Sequence, residues 1–482
     1  MNNVPILPPC PHLAPPGGRD LIDAWTRLAI AHREDGRLDD AEQAARAALL
    51  HAPDTAAARH VLGMVHHDRN RLSEAEDSFR GAIRLNPDGP GAWINLGLIR
   101  HKLGDLREAE ACYRAAARLG ASIGGVGGNL GLVLLEQGRV EEAERACRMA
   151  VADRPTDPGP RLNLAMVLLV TGRLTEGWAA YEARLAVDPW RVPAPNQAAP
   201  PLTDLTAAAG RVVLVRAEQG FGDILQVCRY VPMLADAGVT VVLEAPSALV
   251  RLLRTVPGVA QVVPMGSAMP WFDYHCRLMS LPMLFGTTLE NVPNRVPYLQ
   301  AAPEAAARWR SRLAHLPDRR IGLAWAGGQR PDNPHAAAID RRRSMPLGAL
   351  KPLTIVEGCG FVSLCVGHDG RATGADWLFD PTDAITDFAD TAALMAGLDL
   401  VIAVDTAAAH LAGALGRPVW IALPRAADWR WFLNSDVTPW YRSARLFRQP
   451  VPGAWPDVAA RLAEALEIGL TDRNKIGRND DG

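Results

Sequence analysis

The sequence predicts an α-helical repeat array followed by an α/β region of two parallel-sheet lobes. Three observations support this prediction: a short motif recurs every 34 residues in the first half, a proline-rich stretch follows it, and apolar strand-like runs then alternate with helical segments. The length of 482 residues is too great for one ordinary core, because compact domains usually hold roughly 100 to 200 residues.

The repeat is clearest at a turn that precedes an acidic helix start. Its copies read GRLDDAE, NRLSEAE, GDLREAE, GRVEEAE and GRLTEGW, and they begin at Gly36, Asn70, Gly104, Gly138 and Gly172. Columns of small residues keep the same register, as expected where two helices cross closely. This period is typical of tetratricopeptide repeats (TPRs). We therefore predict a five-repeat TPR solenoid over residues 21–189, preceded by a flexible leader at residues 1–20.

The fifth repeat departs from the pattern of the first four. It has Arg184 where the others have alanine, and it also contains Gly177 and Trp178. We expect this repeat to be modified so that it docks onto the next domain. Cys147 occupies an aromatic column of the fourth repeat and is expected in the core.

One polar column is not needed for packing between helices. Asn95, Asn129 and Asn163 share one position of the first helices, where the first two repeats have Arg27 and Val61. First helices of stacked TPRs line the concave face, so these amides could hydrogen-bond an extended protein segment without demanding a sequence. A solvated groove, or capping of neighbouring turns, is the alternative.

The periodicity changes after the repeats. Residues 190–204 are proline-rich and predict a linker. The run RVVLVR, the turn EQGFGD and the run TVVLEA begin an N-terminal lobe at residues 205–300, and a second α/β series forms a C-terminal lobe at 301–470. Residues 471–482 are predicted to be a disordered tail. A cleft between two such lobes suits a nucleotide-linked ligand.

Composition excludes several classes of protein. Lys+Arg 51 against Asp+Glu 53 gives no electrostatic reason to expect a nucleic-acid partner. The seven cysteines form no C-x-x-C pair, which favours reduced thiols in the cytoplasm over a disulfide framework. Charged residues interrupt the most apolar stretch, so no membrane span is predicted.

Several segments of the second half carry a family resemblance. They are EQGFGDILQVCRY, PYL, GLAWAGG, RRSMPL, DFADTAALMAGLDLVIAVDTAAAHLAGALGRPVW, DWRWF and WYRSARLFRQ. From Trp178 to about Trp455 the chain resembles bacterial TPR glycosyltransferases with a catalytic half similar to the ADP-heptose transferases (glycosyltransferase family 9-like), including TPR flagellin glycosyltransferases. The resemblance implies a GT-B fold of two Rossmann-like lobes. It also implies inverting, metal-independent transfer from a sugar nucleotide, with no cofactor.

The turn DTAAAH fits a donor site. A diphosphate leaving group gains negative charge, and a helix N-terminus offers it free N–H groups and a positive dipole end. Asp405 would cap the helix that starts at Thr406, small residues such as Ala407 would let phosphates approach, and His410 could reach the donor. The resemblance assigns these residues to donor binding, although heptosyltransferases usually have glycine at the position of Ala407. An ordinary capped helix with a core histidine is the alternative.

Other candidate residues follow from the chemistry of transfer. Residues 205–450 contain no Asp-x-Asp triplet, so a metal site is not supported and cations must neutralise the leaving group. The candidate groups are Arg343 and Arg430 as these cations, Gly220 and Gly222 as a tight donor-binding turn, Asp223 as the base, and Glu218 as a second candidate base. Either arginine could instead be a surface residue, and Asp223 could merely cap its helix.

The leading hypothesis is a glycosyltransferase that transfers a sugar from a sugar nucleotide to a protein acceptor held by the TPR groove. Flagellin is the candidate acceptor, modified by O-glycosylation. One alternative is a lipid-linked or polysaccharide glycan as acceptor, and another is a non-catalytic TPR scaffold with a decayed transferase domain.

Overall fold

The computed structural model describes residues 18–187, 199–328, 334–367 and 375–476. The chain divides into two compact units, residues 1–160 and 161–482. The division comes before the predicted boundary at residue 189, so the second helix of the fifth repeat lies in the second unit. Most of the predicted leader (1–17), most of the predicted linker (188–198) and the end of the predicted tail (477–482) lie outside the described residues.

The first unit contains four helical pairs that correspond to the first four predicted repeats. Its helices are α1 (Gly18–Glu34), α2 (Leu38–His51), α3 (Ala56–Asp68), α4 (Leu72–Leu85), α5 (Pro90–Lys102), α6 (Leu106–Arg118), α7 (Ile123–Glu136) and α8 (Val140–Asp153). Each turn within a pair needs one residue with positive φ. Glycine supplies it at Gly36, Gly104 and Gly138, and Asn70 adopts φ 59° in the second repeat, since asparagine tolerates this region better than most residues. The predicted helical repeats are confirmed.

The small-residue column packs directly against the column of larger side chains. A Cβ atom added to Gly97 would lie 2.9 Å from the Tyr113 ring, and one added to Gly131 would lie 2.3 Å from Cys147 Sγ. Cys147 is fully buried, which confirms its predicted place in the core.

The first helices form the inner side of the curved array. Among the described residues, α1, α3, α5 and α7 contact one another in succession, whereas successive second helices make no comparable contact. Helices on the inside of a curve must lie closer together than those on the outside, so the first helices line the concave face.

The second unit holds the end of the repeats and two parallel sheets. Helix α9 (Pro158–Val170) overlaps the division, and α10 (Leu174–Tyr181) follows it. The first lobe consists of β1 (Val212–Arg216), α11 (Phe221–Val227), α12 (Val231–Asp236), β2 (Thr240–Ala245), α13 (Ser247–Leu253), β3 (Val259–Pro264), β4 (Tyr274–Arg277) and α14 (Leu281–Leu284). The second consists of α15 (Pro303–Arg312), β5 (Arg319–Ala324), α16 (Pro334–Arg343), β6 (Cys359–Ser363), β7 (Leu378–Phe379), α17 (Phe388–Met395), β8 (Leu400–Val404), α18 (Ala407–Ala414), β9 (Val419–Leu423), β10 (Ala444–Arg448) and α19 (Trp455–Ile476).

The strand order of each sheet identifies where a ligand would bind. The orders are β3-β2-β1-β4 and β10-β9-β8-β5-β6-β7, with every pair parallel. The order reverses between β1 and β4 in the first sheet and between β5 and β8 in the second. Ligands of open α/β sheets bind outside the carboxyl ends of the strands at such switch points. The turns EQGFGD and DTAAAH follow β1 and β8, so the α/β prediction is confirmed with both motifs at these edges.

Three local features differ from the sequence-based expectation. The segment ILQVCRYVPMLADAG, which begins at Ile224 and whose apolar pattern predicts one helix, is split into α11 and α12, because Pro232 lacks the N–H that a continuous helix needs. The end of the predicted linker joins the sheet, since Leu202 N donates to His275 O at 2.7 Å. Helix α19 continues to Ile476, so the tail predicted to be disordered begins as helix.

No helix among the described residues is long and apolar enough to cross a membrane.

Candidate functional site

The start of α18 carries no side-chain cap. Its N-cap residue is Thr406, with φ −142° and ψ 172°, and no side chain accepts from the first turn. Thr406 Oγ1 instead donates to Val404 O at 3.2 Å. The prediction that Asp405 caps this helix is therefore wrong, because the Asp405 carboxylate faces His410, with Oδ1 3.8 Å from Nε2. The helix start, with Ala407 as its first residue, keeps N–H groups that an anion could bind.

Asp405 is a buried carboxyl group with another carboxylate and two arginines nearby. It is 8% exposed. Burial, with a smaller effect from the nearby Asp428 carboxylate, raises the pKa of Asp405 to about 6, and Arg343 and Arg430 oppose this rise. Asp405 therefore changes its charge near neutral pH, whereas an ordinary aspartate remains ionised there.

His410 lies in the contact between the two lobes. It is 4% exposed, and its ring stacks on Trp431 with centroids 5.4 Å apart. Nδ1 is 2.9 Å from the Tyr441 hydroxyl, and a Cβ added to Gly222 of the first lobe would lie 2.7 Å from Cδ2. Burial, aided by the charges of Arg430 and Arg229, holds the pKa of His410 well below its usual value. The imidazole is thus a neutral hydrogen-bonding group.

Arg343 lies beside the glycine loop that follows β5. Its Nε donates to Asp340 Oδ1 at 2.8 Å. A Cβ added to Gly327 would lie 2.9 Å from that carboxylate and 3.4 Å from Arg343 Nη2. Since the charge of Arg343 also acts on Asp405, the structure brings this predicted cation to the β5/β8 switch point.

Asp223 combines the two roles considered for it. Its Oδ2 accepts from the N–H of Gly220, the N-cap residue of α11, at 2.8 Å, as the capping alternative expects. Its Oδ1 accepts from Arg430 Nη2, and the side chain remains 20% exposed. A carboxylate has about four acceptor directions, so two hydrogen bonds leave Asp223 able to accept a further hydrogen bond.

Arg430 is buried, and each of its three guanidinium nitrogens donates to a protein group. It donates to Asp223, to Gln226 Oε1 and, at 2.7 Å, to Asp428 Oδ1, and its guanidinium stacks 4.2 Å from the Trp429 ring. Burial alone would lower the pKa of Arg430, but Asp428 and Asp223 outweigh burial and raise it. The structure thus makes Arg430 a bridge between the lobes, which differs from the predicted free cation facing the donor.

Glu218 is not available as a base. It is 4% exposed, and its oxygens accept from Arg184 at 2.7 and 3.2 Å and from Met279 N at 3.1 Å. A carboxylate sealed in a buried ion pair cannot reach the hydroxyl of an acceptor. We therefore withdraw Glu218 as the second candidate base. Its partner Arg184 also explains the break in the fifth repeat's alanine column, since that repeat contacts the first lobe as expected.

The inner face of the repeats carries a polar ladder. Asn95 Nδ2 lies 2.7 Å from His60 Nε2 of the preceding first helix. Charged and imidazole groups make similar contacts: Arg33 with Asp68 at 2.6 Å, His67 with Lys102 at 2.6 Å, and His101 with Glu136 at 2.9 Å. Asn129 is half-buried on the same face, and Asn163 is half-buried on α9. A binding role for the three asparagines stays a prediction.

Sequence reasoning missed several residues that hold this site together. Tyr441, Gln226 and Asp428 contact His410 or Arg430 directly, and Tyr181 of the fifth repeat hydrogen-bonds Gln219. Tyr441 and Asp428 lie in or beside segments that carried the family resemblance, but no spacing rule assigned them partners. The changed residues of the fifth repeat were the available signal for Tyr181.

Comparisons with known proteins agree with this architecture. Residues 26–90, 68–125 and 94–158 match the family described as tetratricopeptide repeat. Residues 384–434, which include α17, β8, α18 and the turn at Arg430, match glycosyltransferase family 9 (heptosyltransferase).

A curated relative matches more than half of the chain. The chain is similar to protein FlbA of Caulobacter vibrioides, with 28% identity over 321 residues, which is 60% of this chain and 52% of that protein. The chain thus spans about half the length of this relative. Among solved structures it is similar to Pseudomonas aeruginosa PilF, with 21% identity and a TM-score of 0.33; the match covers 35% of this chain and 76% of that one. It is also similar to a thermophilic TPR protein of Thermus thermophilus, with 23% identity and a TM-score of 0.31; the match covers 35% of this chain and 92% of that one.

These matches and the parallel-sheet fold are consistent with the resemblance seen in the sequence. The chain is a TPR-containing protein with a segment similar to glycosyltransferase family 9 (heptosyltransferase).

Proposed function

We propose that the protein transfers a sugar, with inversion, from a sugar nucleotide to a protein acceptor that the TPR groove holds. The main observation in support of donor binding is the uncapped start of α18 at the β5/β8 switch point. The neutral His410 and the positively charged Arg343 lie near this helix start. A cytoplasmic location is part of the proposal and is supported by free buried thiols such as those of Cys147 and Cys228.

The donor diphosphate would bind at the first turn of α18. Ala407 and Ala408 have small side chains, so phosphate oxygens could approach their N–H groups, where the helix dipole favours negative charge. Arg343 supplies a positive charge near the same turn. His410 is neutral, so it would contribute a hydrogen bond to the leaving group.

Asp223 would act as the base. In an inverting transfer the acceptor oxygen attacks the anomeric carbon, the bond from that carbon to the diphosphate breaks, and the proton of the acceptor hydroxyl passes to the base. Arg430 donates to one oxygen of this carboxylate and the N–H of Gly220 to the other, so Asp223 is held in one orientation. The reaction then needs no metal, as the family resemblance implies.

The proposal of a protein acceptor rests on the TPR repeats. The concave face presents amide, imidazole and carboxylate groups at its half-buried inner positions, which suits the main chain of an extended protein segment. Flagellin is the acceptor that the resemblance suggests. A lipid-linked or polysaccharide glycan remains the second candidate, and the acceptor assay below distinguishes it.

The donor is tested with a panel of ADP-, UDP-, GDP- and CMP-linked sugars. We expect at least one to raise the melting temperature, because a bound ligand stabilises by RT ln(1 + [L]/Kd). His410→Ala should weaken the binding of that donor by about tenfold, in line with one lost hydrogen bond. Affinity within twofold of wild type, measured by calorimetry, would remove His410 from the donor site.

Asp405 provides a pH-dependent test of the same turn. The folded protein binds a proton at Asp405 near pH 6, whereas the unfolded chain binds it near the ordinary pKa of about 3.9. Above pH 6 the buried charge therefore costs stability, and this cost decreases progressively as the pH falls from 6 towards about 3.9. Asp405→Asn has no such charge, so we expect it to melt at a higher temperature than wild type at pH 8, with a smaller gain at pH 5. An equal difference at both pH values would contradict the raised pKa.

Asp223→Asn should separate catalysis from binding. We expect donor affinity to remain and turnover to fall about 10²- to 10⁴-fold, the range typical of a lost general base. Asp428→Asn is the matched control, because it removes the other carboxylate from Arg430 and leaves Asp223 in place. If both variants lose the same activity, the charge balance of Arg430 is responsible, and Asp223 is not the base.

The acceptor prediction concerns Asn95, Asn129 and Asn163. Replacing all three by alanine should leave donor hydrolysis intact and weaken acceptor affinity by roughly ten- to a thousandfold, since each lost hydrogen bond is worth about 0.5 to 1.5 kcal/mol. Asn86→Ala, at an exposed residue that ends α4, is the control. Intact-mass analysis of candidate protein acceptors measures transfer. Unchanged transfer by the triple variant would make the column a solvated groove, and transfer to glycans alone would support the second candidate.

A further inference from the structure

Tyr181, the last residue of α10 in the fifth repeat, hydrogen-bonds the loop that carries Asp223. The Tyr181 hydroxyl and the Gln219 side-chain amide lie within hydrogen-bonding distance, 2.7 Å from Nε2 and 3.0 Å from Oε1. Gln219 precedes Gly220, whose N–H donates to Asp223. One side chain of the repeat is thus connected to the candidate base through two neighbouring residues of the same turn.

The backbone of Gln219 needs such a restraint. Its φ of +65° lies in the left-handed region, which costs a non-glycine residue about 1 kcal/mol or more. Surrounding contacts must therefore hold the turn in this conformation. Tyr181 binds the side chain of Gln219, and on its other side Glu218 is locked by Arg184 of the same repeat.

The buried ion pair between Arg184 and Glu218 fixes the residues at the start of the turn. Arg184 is fully buried and donates to Glu218 at 2.7 Å and to Ser280 Oγ at 2.9 Å. Glu182 accepts from Arg184 Nη1 at 2.6 Å. These contacts order the residues immediately before Gln219.

The same repeat also contacts the second loop of the site. The ring of Trp178 packs edge-on against Trp429, with centroids 5.1 Å apart, and Trp429 lies under the guanidinium of Arg430 at 4.2 Å. Arg430 and Asp223 are hydrogen-bonded to each other. The fifth repeat therefore touches the neighbours of both partners in this pair.

We infer that the fifth repeat is part of the transferase site, and that Tyr181 is a positioning residue that holds Asp223 against Arg430 through Gln219. The inference rests on the proposed function, in which Asp223 is the base. It assigns the repeat a role in the chemical step that is separate from acceptor recruitment. The hydroxyl of Tyr181 suits this role because it is buried and because burial and Asp223 raise its pKa, which keeps it protonated.

The chain contains a matched control for removing this hydroxyl. Tyr113 occupies the same column two repeats earlier, is also buried, and its hydroxyl has no hydrogen-bond partner among the described residues. Tyr181→Phe and Tyr113→Phe therefore delete the same atom, and only the first deletion removes a hydrogen bond. Tyr113→Phe should leave activity at the wild-type level and should not lower the melting temperature.

The experiment measures donor hydrolysis without acceptor, in the full chain, with the sugar nucleotide that most stabilises the wild-type protein. For Tyr181→Phe we expect kcat to fall about ten- to a hundredfold, as for a misplaced catalytic group, while the donor KM stays within twofold. Gln219→Ala should give a similar loss. The double variant should lose no more than either single variant, because the two residues act in series.

Each outcome bears on a separate claim. Wild-type kcat in Tyr181→Phe would overturn the inference, and so would additive losses in the double variant. A loss that appears only in acceptor transfer would restrict the repeat to recruitment and would also overturn it. If Tyr181→Phe does not fold, Gln219→Ala tests the inference by itself, and wild-type activity in Gln219→Ala would overturn it. If wild type neither binds nor hydrolyses any donor of the panel, the proposed function fails instead.

Discussion

The buried guanidinium of Arg430 is the group on which the candidate site depends. A charge in this position is very costly unless hydrogen bonds and opposite charges surround it. Arg430 obtains these partners from both lobes, since Asp223 and Gln226 belong to α11 and Asp428 precedes it in the second lobe. The requirement to satisfy this one cation therefore fixes how α11 faces the turn at Arg430, and it holds the candidate base Asp223 in place.

Two other buried arginines show that the same requirement recurs. Arg184 is paired with Glu218 and Glu182 where the fifth repeat meets the first lobe. Arg229 donates to the carbonyl oxygens of Trp440 and Pro293 at 2.7 and 3.0 Å, and its guanidinium lies over the Tyr441 ring at 4.7 Å. Tyr441 in turn hydrogen-bonds His410. The position of the histidine is thus connected to a cation that is balanced by carbonyl dipoles and ring faces.

The parts of this arrangement that could be predicted are those set by local chemistry. The repeat period, the positive-φ turns and the buried strands follow from periodicity and from glycine, and so does the position of both turns at strand ends. The partner of each charge could not be predicted in this way. Glu218 and Asp223 lie in one turn and look equivalent in sequence, yet one is sealed against Arg184 and the other contacts Arg430, because residues distant in the chain decide each environment. The prediction that Asp405 caps α18 was wrong for the same reason, because its carboxylate is directed towards His410.

Strain and unfavourable charge concentrate around the same few residues. Gln219 has φ +65°, and Phe432, two residues after Arg430, has φ 51° with ψ −171°, a region that side chains rarely adopt. Asp405 keeps a carboxyl group where burial raises its pKa to about 6. Such features lower stability, and a protein under selection for folding alone would replace them. They lie on either side of the Asp223–Arg430 pair and at the start of α18. This distribution is typical of a functional site, and the packing of two sheets does not require it.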